Sequence, residues 1–182
     1  MTARATPPDS IAPWAEVVPG APYPLTVDDM YAIPDDRWCY ELVQGVLVRL
    51  PFSSPGASSI AAHLGARLGL YVEDKGLGAL TGAQGGYRLD PAHPDETELL
   101  PDVAFVCTER APSPADPDYY KKAPTLAPDL AVEVPSENQY APSMAAKAHT
   151  YLTFGTRLVW VVWPRVGRVA ALQARRRVAP RR

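Results

Sequence analysis

Residues 129–164 read DLAVEVPSENQYAPSMAAKAHTYLTFGTRLVWVVWP, and the succession of strand, helix and strand within them decides the fold. Asp129–Val134 is a short, mainly apolar run that stops at Pro135, as a buried strand does. Pro142 suits the first turn of a helix. Met144, Ala148, Tyr151 and Leu152 then recur at helical spacing as an inward stripe, which Gly155 ends. RLVWVVW predicts a further strand, and RVAAL another. Glu133 is out of place in this pattern. It stands among Leu130, Ala131, Val132 and Val134, where an unpaired buried carboxylate costs several kcal/mol. A metal ion, a basic partner or a raised pKa has to compensate it. Strand alternation sets Leu130, Val132 and Val134 on one face and Ala131 and Glu133 on the other.

Working upstream, Pro101-Asp102 opens the apolar run VAFVC, a second predicted strand. If the two strands are neighbours, Asp102 and Glu133 converge. Hard divalent cations such as Mg²⁺ or Mn²⁺ favour such oxygen ligands. Lys147 lies three residues after Met144 and four before Tyr151, at the edge of the apolar stripe, so its amine reaches inward past its own methylenes. In phosphodiester hydrolysis such a Lys orients the attacking water or offsets charge on the transition state.

Further out, Thr26-Val27-Asp28-Asp29 carries the signature of a capped helix start. WCYELV and VLVRL, joined by Gln44-Gly45, predict a β-hairpin. Ile60, Leu64, Leu68 and Val72 recur every four residues and predict an amphipathic helix over 57–74. GGYRLD reads as a strand, and PAHPDETELL as an acidic loop. Strands and helices mix without a repeat, so the expected class is α/β: one mixed central sheet flanked by helices, with an N-terminal helix and hairpin.

The chain has 182 residues, room for one domain with its own core. Its parts read as a Pro-rich arm over 1–23, a domain over 24–173 and an Arg-rich tail over 174–182. Cys39 and Cys107 are far apart and fit no zinc or redox spacing, which points to a reducing, cytoplasmic setting. No apolar run reaches the roughly 20 residues of a membrane span, and the opening MTARATPPDSIAPW lacks the pattern of a signal peptide. Net charge is −2, yet residues 1–137 hold 20 acidic and 9 basic residues, whereas 138–182 hold 9 basic and none acidic. The tail QARRRVAPRR is therefore either a phosphate-binding segment or a solvated end. Tyr119-Tyr120-Lys121-Lys122 pairs aromatic and basic groups as a single-strand binding surface does, or forms a solvated loop. His63, His93 and His149 share no ligand spacing.

These segments together resemble the Uma-type restriction endonucleases, a branch of the PD-(D/E)XK nuclease superfamily. LTVDDMYAIPDDRWCYELVQGVLVRL is similar to the family's N-terminal signature and LLPDVAFVCTER to its PD strand. APDLAVEVPSENQ and KAHTYLTFGTRLVWVVWP match its second acidic strand, its helix and the strand after it. The resemblance spans about residues 24–164 and implies a restriction-endonuclease-like fold and Mg²⁺- or Mn²⁺-dependent cleavage of DNA. It assigns Asp102 to the D of the PD motif and Glu133 to the next acidic position, with the metal shared between them. Pro135 occupies the position two residues after that acid, where the superfamily's Lys normally stands, and Lys147 from the following helix supplies it. Glu41, in YELVQG, matches an N-terminal acid that assists the metal site.

The implied partner is nucleic acid, with a homodimer as the arrangement that cuts both strands of a duplex. Each residue has a plainer reading: Asp102 as a turn former, Glu41 as a cross-strand or solvated group, Lys147 as a surface residue. The alternative function is a nuclease fold that binds nucleic acid without cutting it. A two-carboxylate glycosidase fits Asp102 and Glu133 but leaves Lys147 without a role.

Overall fold

The computed structural model describes residues 11–136 and 141–174. The chain segment around Thr26 behaves as its residues dictate. The Thr26 side chain accepts from the Asp29 backbone, and the Asp29 carboxylate accepts from the Thr26 N–H, so a full capping box opens α1 (Val27–Tyr31). The hairpin follows as β2 (Cys39–Val43) and β3 (Val46–Leu50). Gln44 and Gly45 both take positive φ, 49° and 78°, the primed turn that matches strand twist. Ser54 caps α2 (Pro55–Asp74), with Pro55 in the first turn.

Two five-stranded sheets result. The hairpin does not join the expected mixed sheet; it belongs to a second sheet, ordered β1-β3-β2-β6-β5, with β1 at Glu16–Val17, β5 at Tyr87–Arg88 and β6 at Glu98–Leu99. The other is the mixed sheet, ordered β10-β9-β8-β7-β4. Its members are β4 (Gly78–Thr81), β7 (Val103–Cys107), β8 (Leu130–Glu133), β9 (Leu158–Trp163) and β10 (Arg168–Gln173). β8 and β9 run parallel because α3 (Ala141–Thr153) lies between them, while the remaining pairs are antiparallel.

The centre of the mixed sheet is buried on both faces, while its edge strand β10 is exposed. Leu130, Val132 and Val134 pack with Ala57 and Ala61 of α2 on one side. Ala131, Val159 and Val161 face the other side, where Met144, Ala148 and Tyr151 of α3 meet Val43, Val48 and Leu99 of the first sheet. The chain crosses between sheets at Leu100-Pro101-Asp102, directly linking β6 to β7. PAHPDETELL is thus not wholly a loop, since its last residues form β6 with Glu98 buried. From Ile11 onward the Pro-rich arm packs on the domain, with Ala12 and Trp14 in the core. The Arg-rich tail from residue 175 lies outside the described residues. No helix among the described residues is long and apolar enough to cross a membrane.

Gly45 tests the hairpin turn, because a Cβ there would lie 2.8 Å from the Pro24 Cβ at a φ that L residues avoid. Gly45→Ala is expected to lower stability by more than about 1 kcal/mol, read as a shift in the urea midpoint.

Candidate active site

Glu133 ends β8 on the face that meets α3, as alternation requires, and it is buried. Its compensation comes from α3. The Lys147 ammonium donates to Oε2 at 3.0 Å, and the Tyr151 hydroxyl donates to Oε1 at 3.0 Å. Lys147 and Tyr151 are four residues apart on one helix, hence stacked on the same face. Tyr151 was legible as an inward residue; its role as a donor follows from that spacing only once Lys147 is known to point inward.

Lys147 is itself buried and holds a second carboxylate, Glu41, with Nζ 2.9 Å from Oε1. Glu41 comes from β2 in the other sheet and is fully buried. Its Oε1 also accepts from the Leu100 N–H at 2.9 Å, and its Oε2 accepts from the Trp14 indole N–H at 2.9 Å. Three donors therefore occupy its two oxygens. Trp14 gave no signal in the sequence beyond being an apolar residue in a Pro-rich arm.

Asp102 completes the group at the crossover between sheets. Its N–H donates to the Val132 carbonyl at 3.0 Å, and its Oδ2 accepts from the Val134 N–H at 2.7 Å. Those two partners flank Glu133, so the loop carrying Asp102 is locked beside that residue. Asp102 is only partly buried and lines a cleft of about 580 Å³ with Phe52, Ser58, Gly65, Gln84 and Leu100. It is the acid of the group that faces this cleft.

The electrostatics follow from burial. Desolvation pushes the Glu133 carboxyl up to about 7, against the pull of Lys147 and with added repulsion from Asp102 and Glu41. Asp102 is likewise raised by desolvation, offset in part by the Val134 N–H and Lys147. For Lys147 burial opposes the charge, but Glu133 and Glu41 outweigh it and hold the ammonium above its usual pKa. Tyr151 is raised well above the ordinary phenol range by burial and by Glu133. At ionisation, three carboxylates face one ammonium, which leaves the group with an excess of negative charge.

Among the described residues, no three His, Cys, Asp or Glu side chains converge as a ready three-ligand metal cluster. Glu41 is held by Trp14, Leu100 and Lys147. Asp102 and Glu133 offer hard carboxylate oxygens, and that donor chemistry fits Mg²⁺ or Mn²⁺, which take one or two carboxylates and retain water. Tyr119, Tyr120, Lys121 and Lys122 lie apart from this group, on the wall of a second cleft of about 900 Å³.

Comparison with known proteins finds relatives by sequence and by structure. A family model described as "Uma2: Putative restriction endonuclease" matches residues 27–180. Among solved structures, the "putative nuclease belonging to DUF820" from Anabaena variabilis ATCC 29413 superposes with a TM-score of 0.69 at 18% identity, covering 84% of this chain and 82% of that one. At that identity the likeness concerns the fold. No curated protein matches.

Two outcomes test the buried group. Lys147→Met leaves Glu41 and Glu133 without their cation and is expected to cost about 3–5 kcal/mol in urea unfolding. Adding Glu133→Gln to it should recover part of that loss. The second test concerns pH. A Glu133 pKa near 7, against an ordinary 4.5, means that the folded state holds this proton more tightly than the unfolded chain. The resulting stability is complete below pH 4.5 and lost as pH rises through 7. In metal-free protein, the Tm of Glu133→Gln is therefore expected to gain on wild type across that window. A constant difference would mean that Lys147 fully compensates the buried charge.

Proposed function

This chain belongs to the Uma2 restriction endonuclease family, and on that premise we propose that it is a metal-dependent DNA endonuclease that hydrolyses phosphodiester bonds at Asp102, Glu133 and Lys147. The observation that carries the reading is Lys147, a buried ammonium held between Glu133 at 3.0 Å and Glu41 at 2.9 Å, beside an acid that lines a cleft. A surface Lys or a merely structural Asp has no need of that arrangement.

Asp102 and Glu133 are the residues to hold Mg²⁺ or Mn²⁺. When bound, such an ion polarises a phosphate and lowers the pKa of water. Lys147, kept protonated by its two carboxylates, serves as a donor of charge and hydrogen bonds rather than as a base. Its target is the attacking water or the charge developing on the phosphate oxygens. Glu41 positions Lys147 and draws that position from the other sheet through Leu100 and Trp14. Tyr151 orients Glu133 from the same helix face as Lys147. In this reading Glu41 supports the amine, and metal ligation falls to the other two acids.

Purified protein is expected to nick supercoiled plasmid with Mg²⁺ or Mn²⁺ and to stop when a chelator is added. Asp102→Asn, Glu133→Gln and Lys147→Ala should each lower the rate at least about 100-fold, on the scale of losing a transition-state contact. Equal cleavage by wild type and all three variants would refute the site. Metal-independent, salt-sensitive binding without cleavage would assign the chain to nucleic-acid binding alone.

A further inference from the structure

Phe52 follows β3 and precedes the cap of α2, and it is 73% exposed, an apolar ring left in water. It stacks on Trp38, with ring centroids 5.5 Å apart and planes 28° from parallel. Trp38, itself 40% exposed, is braced by Arg49, whose guanidinium lies 4.6 Å from the ring centroid. Arg49 is in turn fixed by two bonds to Glu16, at 2.8 and 2.6 Å. The outcome is an aromatic pair braced at Trp38 and exposed to solvent at Phe52. Phe52 lines the cleft that contains Asp102.

The second cleft has a matching feature. Tyr120 is 86% exposed and packs edge-on against Tyr119, with centroids 4.9 Å apart. Gln84 and Leu100 line both clefts, so the two spaces adjoin. Single exposed apolar residues are ordinary on protein surfaces. Here their placement is selective: among the described residues, every exposed aromatic except Tyr71 lines one of these clefts or, like Trp38, stacks on a ring that does.

Ring surface narrows the occupant. Among the described residues, Lys121, Lys122 and Arg88 on the wall of the larger cleft stand beside Asp116, Asp118 and Glu98, with Lys122 3.9 Å from Asp118, and Asp102 is the one charged residue lining the smaller cleft. Single and double strands both carry backbone phosphates, so these charges do not separate them. A duplex has its bases already stacked and paired, whereas exposed rings offer their faces to bases that lack a stacking partner.

We infer that the substrate is single-stranded DNA lying along the joined clefts past Asp102, with one base stacked on the Phe52–Trp38 platform and another on Tyr120. The inference rests on the endonuclease reading and adds the strandedness of its substrate. Phe52 and Tyr120 are positioning residues, on either side of the reacting phosphate.

The test is binding without chemistry: fluorescence anisotropy of labelled oligothymidylate and of a duplex of equal length, in EDTA. Wild type is expected to bind the single strand more tightly. Phe52→Ala and Tyr120→Ala should each weaken that binding roughly 5- to 100-fold. Phe52→Trp should retain it, and Tyr71→Ala should change nothing. All three positions are exposed, so matching melting curves will verify the fold. Duplex bound as tightly as single strand, no binding of either, or single-strand binding indifferent to both alanine substitutions would each overturn the inference. Cleavage of circular single-stranded DNA with Mg²⁺ or Mn²⁺ is scored separately. Metal-dependent cleavage that persists without preferential single-strand binding would overturn the strand assignment alone, whereas the expected single-strand binding with no cleavage would count against the endonuclease reading.

Discussion

Lys147 carries its charge to a place enclosed on every side by protein, and two carboxylates from different sheets meet it there. Glu133 arrives on β8, Glu41 on β2, and each lies within 3.0 Å of the ammonium. Removing Lys147 would strand two carboxylates in a medium that solvates them poorly, which is the costly way to break a buried ion pair. The group therefore works as a clamp between layers as well as a candidate site. α3 cannot shift relative to the mixed sheet, nor the hairpin sheet relative to either, without separating these charges.

That clamp explains why the Pro-rich arm is drawn in. Glu41 has acceptor capacity beyond what Lys147 and Leu100 use, and a buried acceptor needs filling. Trp14 fills it while adding its ring to the core. A second buried network repeats the principle less completely. Arg88 bonds Asp95 at 2.9 Å, and Tyr31 donates to Glu98 at 2.6 Å, yet Arg88 Nε and Glu98 Oε2 remain without hydrogen-bond partners at a separation of 3.6 Å. Burial accordingly raises the Glu98 carboxyl pKa, the hydrogen bond from Tyr31 and the Arg88 charge offsetting only part of the effect.

The position of Asp102 gives the site its direction. It occupies the three-residue passage by which the chain leaves one sheet and enters the other, tied through its backbone N–H to Val132 and through its carboxylate to Val134, the two neighbours of Glu133. Its neighbours in the passage serve both sides: Leu100 donates to Glu41, and Asp102 looks into the cleft. A substrate approaching from that cleft meets Asp102 before the enclosed Glu133–Lys147 pair. The exposed rings beside the same cleft contribute nothing to the clamp, which is why their exposure invites a reading in terms of a ligand.

Local rules were enough to read much of this chain. The capping box at Thr26, the Gln44-Gly45 turn, the four-residue spacing of α2 and the strand, helix and strand of 129–164 depend on contacts within a few residues, so the sequence determined them alone. It also marked Glu133, since an acid in an apolar strand demands a partner wherever it lies. The short strands β1, β4 and β6 have too few residues to show a period, and their pairing partners lie far along the chain; tertiary contact alone defines them. The same holds for the roles within the site. Sequence order places Glu41, Asp102 and Lys147 up to about a hundred residues apart, and a family resemblance can name them. Only the packing of two sheets and a helix decides that Glu41 grips Lys147, that Trp14 closes the far side and that Asp102 faces the cleft, because burial and hydrogen-bond distance are properties of the folded whole.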